Sequence, residues 1–347
     1  LSSSLQKEIE NFAIQSGFHL IGFTTPDVSE KIKEYFIRWV QEGKHAGLWY
    51  LEDKRRLMLR FNPGKLMEEV KSIIVFGVSY KDGLFGQYVS SDKAYISTYA
   101  LRKDYHKVMK KKLKKIVDFI KEREPQLKAR IFVDSAPVLE RYFAQRAGLG
   151  FIGKNNFLIN PILGGLIFLG EIFTNLEFKS SKPLNISCSE CSLCVDSCPT
   201  GALSPYEVDL NLCISYHTIE NKDALIPEKV MANMKNMVFG CDMCALSCPY
   251  NAKASSDSVE PYFGEKSLSE LQGIPLEVLL GLTEAEFRDM FKGTPVLRAG
   301  YTAFLRNVII AAYNSKNNSL LESARKKCVL LTDRIVQKTC IELGLLD

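Results

Sequence analysis

Apolar residues recur at helical spacing over residues 3 to 16 (Leu5, Ile9, Phe12, Ala13) and 29 to 42 (Ile32, Phe36, Trp39, Val40), and a glycine, Gly17 or Gly43, stops each run. Between them His19-Leu-Ile-Gly-Phe23 reads as a strand. Lys71-Ser-Ile-Ile-Val-Phe-Gly-Val-Ser-Tyr80 is apolar without alternation, the pattern of a strand covered on both faces. A long helix is predicted from Asp104 to about Glu124, then a second buried strand, Ala129-Arg-Ile-Phe-Val-Asp134. Strand alternating with helix predicts an α/β layer domain over residues 1–180. Residues 181–255 have modest apolar content and short, turn-rich connections, as in a small domain built around metal. From Glu260 the pattern is helical again: Thr283-Glu-Ala-Glu286 is a capping box, and Tyr301 to Tyr313 and Leu320 to Leu331 are helix-like. Residues 256–347 are therefore expected to form a helical C-terminal region of helix pairs, too few to establish a repeat period.

The chemistry of the middle segment lies in its thiols. Cys188-Ser-Glu-Cys191-Ser-Leu-Cys194-Val-Asp-Ser-Cys198-Pro199 is a bacterial ferredoxin run, in which three close thiolates hold one cubane and the fourth serves the other. Cys188, Cys191 and Cys194 then share a cluster with Cys248, from the later Cys241-Asp-Met-Cys244-Ala-Leu-Ser-Cys248-Pro249, while Cys198 joins Cys241 and Cys244. Ser247 stands where the second motif would carry a third thiol, and Cys213, between the motifs, completes the set. Zinc prefers two CxxC pairs per ion, and a disulfide framework needs a secreted chain. The spacing therefore predicts two 4Fe-4S clusters. Cys328 and Cys340 are expected to be plain buried thiols in the helical tail.

The 347 residues, 46% of them hydrophobic, can fill two or three cores. No apolar run reaches the ~18 residues that span a bilayer, and the opening Leu1-Ser-Ser-Ser lacks a charged segment followed by an apolar one. The expectation is a cytoplasmic protein. A net charge of +5 is too small to argue for a nucleic-acid partner, but its distribution is uneven. Arg102, Lys103, Lys107, Lys110, Lys111, Lys112, Lys114 and Lys115 stand against Asp104 alone. This helix is either a solvated face or a phosphate-tracking surface.

Three further motifs compete for the chemistry. Gly148-Leu-Gly150-Phe-Ile-Gly153-Lys154-Asn155 matches GxGxxG, but it follows a predicted helix, Pro137 to Ala147, rather than a strand. Gly148 is better read as a helix C-cap, with Gly150 and Gly153 allowing close backbone approach. Asp104-Tyr-His106-Lys-Val-Met109 falls short of the DxHxxG histidine motif of some cobalamin proteins, because Met109 occupies the glycine position. His106 then reads as a solvated histidine on a basic helix. Asp134, after Ile131-Phe132-Val133 and before a helix start at Ser135-Ala-Pro137, either favours a positive helix end or, if covered by a ligand, stays protonated as a general acid.

Phe132-Val-Asp134-Ser, Ala144-Gln-Arg146-Ala-Gly148-Leu-Gly150-Phe with Lys154-Asn155, the Cys188 run followed by Pro199-Thr-Gly-Ala202, and Gly240-Cys-Asp-Met-Cys244 together resemble the epoxyqueuosine reductase family. The likeness continues through Gly293-Thr-Pro-Val-Leu-Arg298 and Leu305-Arg306-Asn307, nearly the whole chain. It implies an enzyme of queuosine biosynthesis that reduces the epoxide of epoxyqueuosine, at the tRNA wobble position, to the cyclopentene of queuosine. The family is similar to reductive dehalogenases and uses base-off cobalamin on a nitroreductase-like α/β domain beside two 4Fe-4S clusters. The position matching its proton-donating aspartate is Asp134. By the same resemblance Asn155, Leu158, Leu169, Ser97 and Arg60 fall at corrin contacts, with Arg55 or Arg56 as alternatives to Arg60.

The implied mechanism passes electrons from an external low-potential donor, flavodoxin- or ferredoxin-like, through the clusters to cobalt while Asp134 protonates the departing oxygen. Arg298, Arg306 and the 102–115 helix are expected to help hold the tRNA of what is expected to be a monomer. The rivals are a cobalamin-dependent dehalogenase-like reductase, disfavoured by the absence of an Arg-Arg leader, and a non-catalytic ferredoxin-type electron carrier.

Overall fold

The computed structural model describes residues 3–81, 83, 85, 90–255 and 271–347. Helix α1, Ser3–Gln15, leads into strand β1, Leu20–Thr24, and α2, Glu30–Gln41, is followed by α3, Lys54–Phe61. Strand β2, Ser72–Ser79, precedes the long α4, Tyr105–Arg123; β3, Ala129–Phe132, α5, Glu140–Arg146, and β4, Ile167–Thr174, complete the layer. The sheet order is β1-β2-β4-β3, and every neighbouring pair is antiparallel.

Side-chain alternation across β2 explains its unbroken apolar run. Ile74, Phe76 and Val78 pack with Leu5, Ile9 and Ala13 of α1 and Met109, Leu113, Ile116 and Ile120 of α4. Ile73 and Val75 face the other way, onto Phe143 and Ala144 of α5 and Phe173 of β4. A strand with helices on both faces has no solvent side to make polar.

The last helices, α6 (Leu276–Gly281), α7 (Glu284–Met290), α8 (Tyr301–Asn314), α9 (Asn318–Leu330) and α10 (Arg334–Glu342), close a separate core. Its members include Ala94, Ile96, Ala100 and Leu101 from ahead of α4, and Val238 and Phe239 from the cysteine-rich segment. The capping box at Thr283 and Glu286 is present in both directions. The expected helical onset at Glu260 lies outside the described residues.

Several expectations change. Cys328 and Cys340 are bonded to each other as a disulfide between α9 and α10, not free thiols. Arg306 is fully buried and donates to the carbonyls of His217, Asn221 and Ala224, so it ties α8 to the cysteine-rich segment and is out of reach of a nucleic acid. Of the basic cluster, Arg102 and Lys112 are buried, while the lysines at 103, 107, 110, 111, 114 and 115 are exposed. The helix expected from Pro137 starts only at Glu140, so Asp134 lies in a loop and not at a helix N-terminus. Gly148 does follow the helix, at φ +77°, and a Cβ there would stand 2.5 Å from the Lys182 carbonyl.

Candidate active site and the cysteine-rich segment

Asp134 stands just beyond the end of β3 and takes φ 55°, a left-handed conformation uncommon outside glycine and asparagine. Its side chain is 45% exposed. Three groups converge on Oδ2. The Tyr105 hydroxyl donates at 2.5 Å, His106 Nε2 lies at 3.2 Å, and Arg298 Nη1 at 3.8 Å. Tyr105 and His106 open α4, whose N-cap Asp104 accepts the His106 backbone N–H at 3.0 Å and faces its Nδ1 at 2.7 Å.

The rest of the chain holds this arrangement from both sides. The Tyr105 ring stacks on Phe168 of β4 at 4.4 Å and on His106 at 4.1 Å. Asp104 N–H donates to the Gly293 carbonyl, and Arg298 also pairs with Glu220 at 3.2 Å, so the helical region forms one wall of the site.

The charges here differ from those expected of a protonated Asp134. Desolvation pushes its carboxyl up, but hydrogen bonds from His106 and Tyr105 and the charges of His106 and Arg298 outweigh it, holding the group below the ordinary carboxylate value. For His106 desolvation acts downward, and the Asp104 and Asp134 carboxylates overcome it, lifting the imidazole to about 9. These shifts favour an Asp134 carboxylate beside a His106 imidazolium. His106 is not the solvated histidine of the sequence reading; only 16% of its side chain is exposed. A second carboxylate lies close by: the Asp134 backbone N–H donates to Glu140 Oε1.

The other expected contact residues separate into groups. Leu158 and Leu169 are buried in the apolar layer with Val75, Phe132 and Phe173. Ser97 Oγ donates to Asp242 Oδ1 at 2.5 Å, and Asn155 Nδ2 donates to the Cys244 carbonyl at 3.3 Å, so both join the α/β layer to the cysteine loops. Arg60, on α3, is 6% exposed, and its Nη1 has no hydrogen-bond partner among the described residues. Desolvation, with Arg56 nearby, pushes its guanidinium down to about 10. A buried cation without an anion beside it suits a polar or anionic ligand group.

Eight cysteines are free, and they fall into two sets of neighbours. Cys194 and Cys248 sense Cys188, and Cys248 also senses Cys191. Cys241 and Cys244 sense Cys198 and Cys213. The Lys154 backbone N–H points at Cys188 Sγ at 3.4 Å, and Ser197 Oγ donates to Ser247 Oγ at 2.8 Å between the two motifs. Among the described residues no three such side chains close on one ion; the thiolates of a cubane each bind a different iron and need not converge. Cys191 is exposed, whereas burial pushes the Cys241 thiol up to about 12 and the Cys244 thiol well above its ordinary value. Among the described residues no helix is long and apolar enough to cross a membrane.

Comparison with known proteins matches this geometry. Residues 60–135 fit the family model described as epoxyqueuosine reductase QueG, DUF1730, and residues 187–251 fit a 4Fe-4S double cluster binding domain. An epoxyqueuosine reductase of Leadbetterella byssophila is 35% identical over 302 residues, covering 87% of this chain and 96% of its own length. That of Escherichia coli K12 is 33% identical over 341 residues, covering 96% of this chain and 88% of its own. A crystal structure of epoxyqueuosine reductase with an epoxyqueuosine-modified tRNA-Tyr stem loop superposes with a TM-score of 0.87 at 26% identity, covering 98% of this chain and 89% of that one. A Bacillus subtilis epoxyqueuosine reductase, described with an aspartate-bearing catalytic loop swung out of the active site, gives 0.88 at 25% identity, covering 99% and 91%. Carrying a double-cluster segment beside an α/β layer, and aligned with these relatives over most of both chains, the protein belongs to the epoxyqueuosine reductase family of oxidoreductases.

Proposed function

We propose that this chain reduces epoxyqueuosine to queuosine at the wobble position of tRNA anticodons, with Asp134 as the proton donor. The carrying observation is the convergence of Tyr105, His106 and Arg298 on one oxygen of Asp134, a side chain that solvent still reaches. Removing an epoxide oxygen needs two electrons and protons, beyond the reach of ordinary side chains. When bound, cobalamin and two 4Fe-4S clusters supply the electrons, received from an external low-potential donor of the flavodoxin or ferredoxin kind. Cys188, Cys191, Cys194 and Cys248 would hold one cluster, and Cys198, Cys213, Cys241 and Cys244 the other. For base-off cobalamin, Arg60 offers an unsatisfied buried cation and Leu158 and Leu169 an apolar wall, with Ser97 and Asn155 at the joint to the cysteine loops. The cytoplasm, where tRNA and reduced thiols coexist, is the compartment that suits this chemistry.

Within the site the proton begins on His106. It passes from Nε2 to Asp134 Oδ2 and then to the departing oxygen, while Arg298 and Tyr105 steady the carboxylate. Because His106 holds its proton up to about pH 9, turnover should persist through neutrality and fall as pH rises through about 9. In His106→Gln, Asp134 must carry the proton alone, so the optimum of kcat should move toward acid. An unshifted profile would remove His106 from the relay.

The related structure with a tRNA stem loop supports placing the anticodon over this site, where an extruded base would reach Asp134. Lys107, Lys111 and Lys115 form one exposed stripe of α4 and line a groove with Lys103. Charge reversal at Lys111 and at the neighbouring exposed Lys110 and Lys114 should weaken stem-loop binding and reduce its salt slope by about 0.7 for each phosphate no longer neutralised. An unchanged slope would leave the helix a solvated face. The specificity test is competition: a stem loop bearing epoxyqueuosine should outcompete the same loop bearing guanine, and equal affinity would exclude the modified base as the group recognised.

A further inference from the structure

Strand β4 carries one carboxylic acid in an otherwise apolar buried run. Glu171 is 0% exposed and lies across from Val75 of β2 and Phe132 of β3. Neither of its oxygens meets an N–H or O–H donor among the described residues; its neighbour is the Glu140 carboxyl at the start of α5. Two carboxyls can share a hydrogen bond only if one of them brings a proton. Glu140 Oε1 accepts the backbone N–H of Asp134, the residue held at φ 55°.

We propose that Glu171 and Glu140 form a carboxyl pair sharing one proton, in which Glu171 O–H donates to Glu140 and Glu140 in turn grips the Asp134 amide, so that the pair is a positioning device for the proton donor. The inference rests on the reading of Asp134 as that donor.

An ionised Glu171 would be a buried charge with no donor, which apolar surroundings strongly disfavour. Desolvation pushes both acids up, Glu140 to about 8 and Glu171 well above the ordinary carboxylate value. The charged groups facing the pair are Asp134, which favours retention of the proton, and Arg141, which opposes it at Glu140. Arg141 is itself directed to the Asn156 carbonyl. With its proton the pair supplies one acceptor oxygen to the loop and costs no second buried charge. Without it, two adjacent carboxylates would repel each other and the Asp134 carboxylate, and the grip on the loop would loosen.

The test uses the full-length, reconstituted protein. Infrared spectra at neutral pH should show a protonated-carboxyl band, shifted in deuterated water, that disappears in Glu171→Gln and persists in Asp134→Asn. Hydrogen exchange read by mass should show the Asp134 amide protected in the parent protein. Protection should hold in Glu171→Gln, whose amide still donates to Glu140, and in Glu140→Gln, whose carbonyl still accepts. In Glu140→Ala the amide should exchange about tenfold faster or more, with kcat lowered and KM unchanged. An identical band in parent and Glu171→Gln proteins would overturn the shared proton. Unchanged Asp134 protection in Glu140→Ala would overturn the grip. If Asp134→Asn turned over normally, the donor assignment would fail while the infrared and exchange results still decided the pair.

Discussion

Replacing Asp134 with asparagine should lower turnover by about 100- to 10,000-fold, the usual contribution of a positioned acid, while iron content and cofactor binding stay unchanged. Asparagine keeps the size of the side chain and can still accept from Tyr105, whose hydroxyl lies 2.5 Å from Oδ2. It cannot take a proton from His106 and pass it on. The substitution also removes the negative charge that helps lift His106 to about 9, so the imidazole should titrate closer to its ordinary value. Single-turnover rates measured anaerobically, together with NMR titration of His106, check both parts. Full activity with a normally raised His106 would show that Asp134 neither relays the proton nor sets its neighbour's charge.

Substituting Cys241 with serine should cost the protein one of its two clusters. Cys241 is in the set with Cys198, Cys213 and Cys244, and the other set contains no spare thiol to replace it. Under the proposed ligand sets, iron and acid-labile sulfide should therefore fall by about half. Turnover should collapse, because ordinary side chains supply no electrons. The variant should also unfold more easily: the helices and strands of the segment from 187 to 251 are all six residues or shorter, and metal binding adds directly to the folding free energy of such a segment. Unchanged iron and sulfide would move Cys241 out of the ligand set.

Much of this architecture is legible in the chain because the deciding signals are local. The run from Ile73 to Val78 marks a strand covered on both faces, and the cysteine spacing alone marks the segment from 187 to 251 as a double-cluster domain. What sequence pattern leaves out is long-range pairing. Nothing near Asp134 announces that Arg298, from the far end of the chain, shares its carboxylate. Strand and helix alternate along the chain, yet every neighbour in the four-stranded sheet is antiparallel, because the strands that pair there are not joined by simple crossover helices. His106 looks like an ordinary member of a basic helix until the first turn of that helix is packed against β3 and β4. The joining of Cys328 to Cys340 likewise depends on how two consecutive helices face each other. Glu171 did leave a mark in the sequence: a lone acid in the buried run Ile167–Thr174 cannot remain there as a free charge at small cost.

The central claim is tested most directly by incubating the reconstituted protein anaerobically with cobalamin, a strong reductant and an anticodon stem loop carrying epoxyqueuosine, and weighing the released nucleoside. Loss of one oxygen, dependent on cobalamin and on Asp134, is the predicted result. An unaltered nucleoside from protein with both clusters and the corrin in place would contradict it.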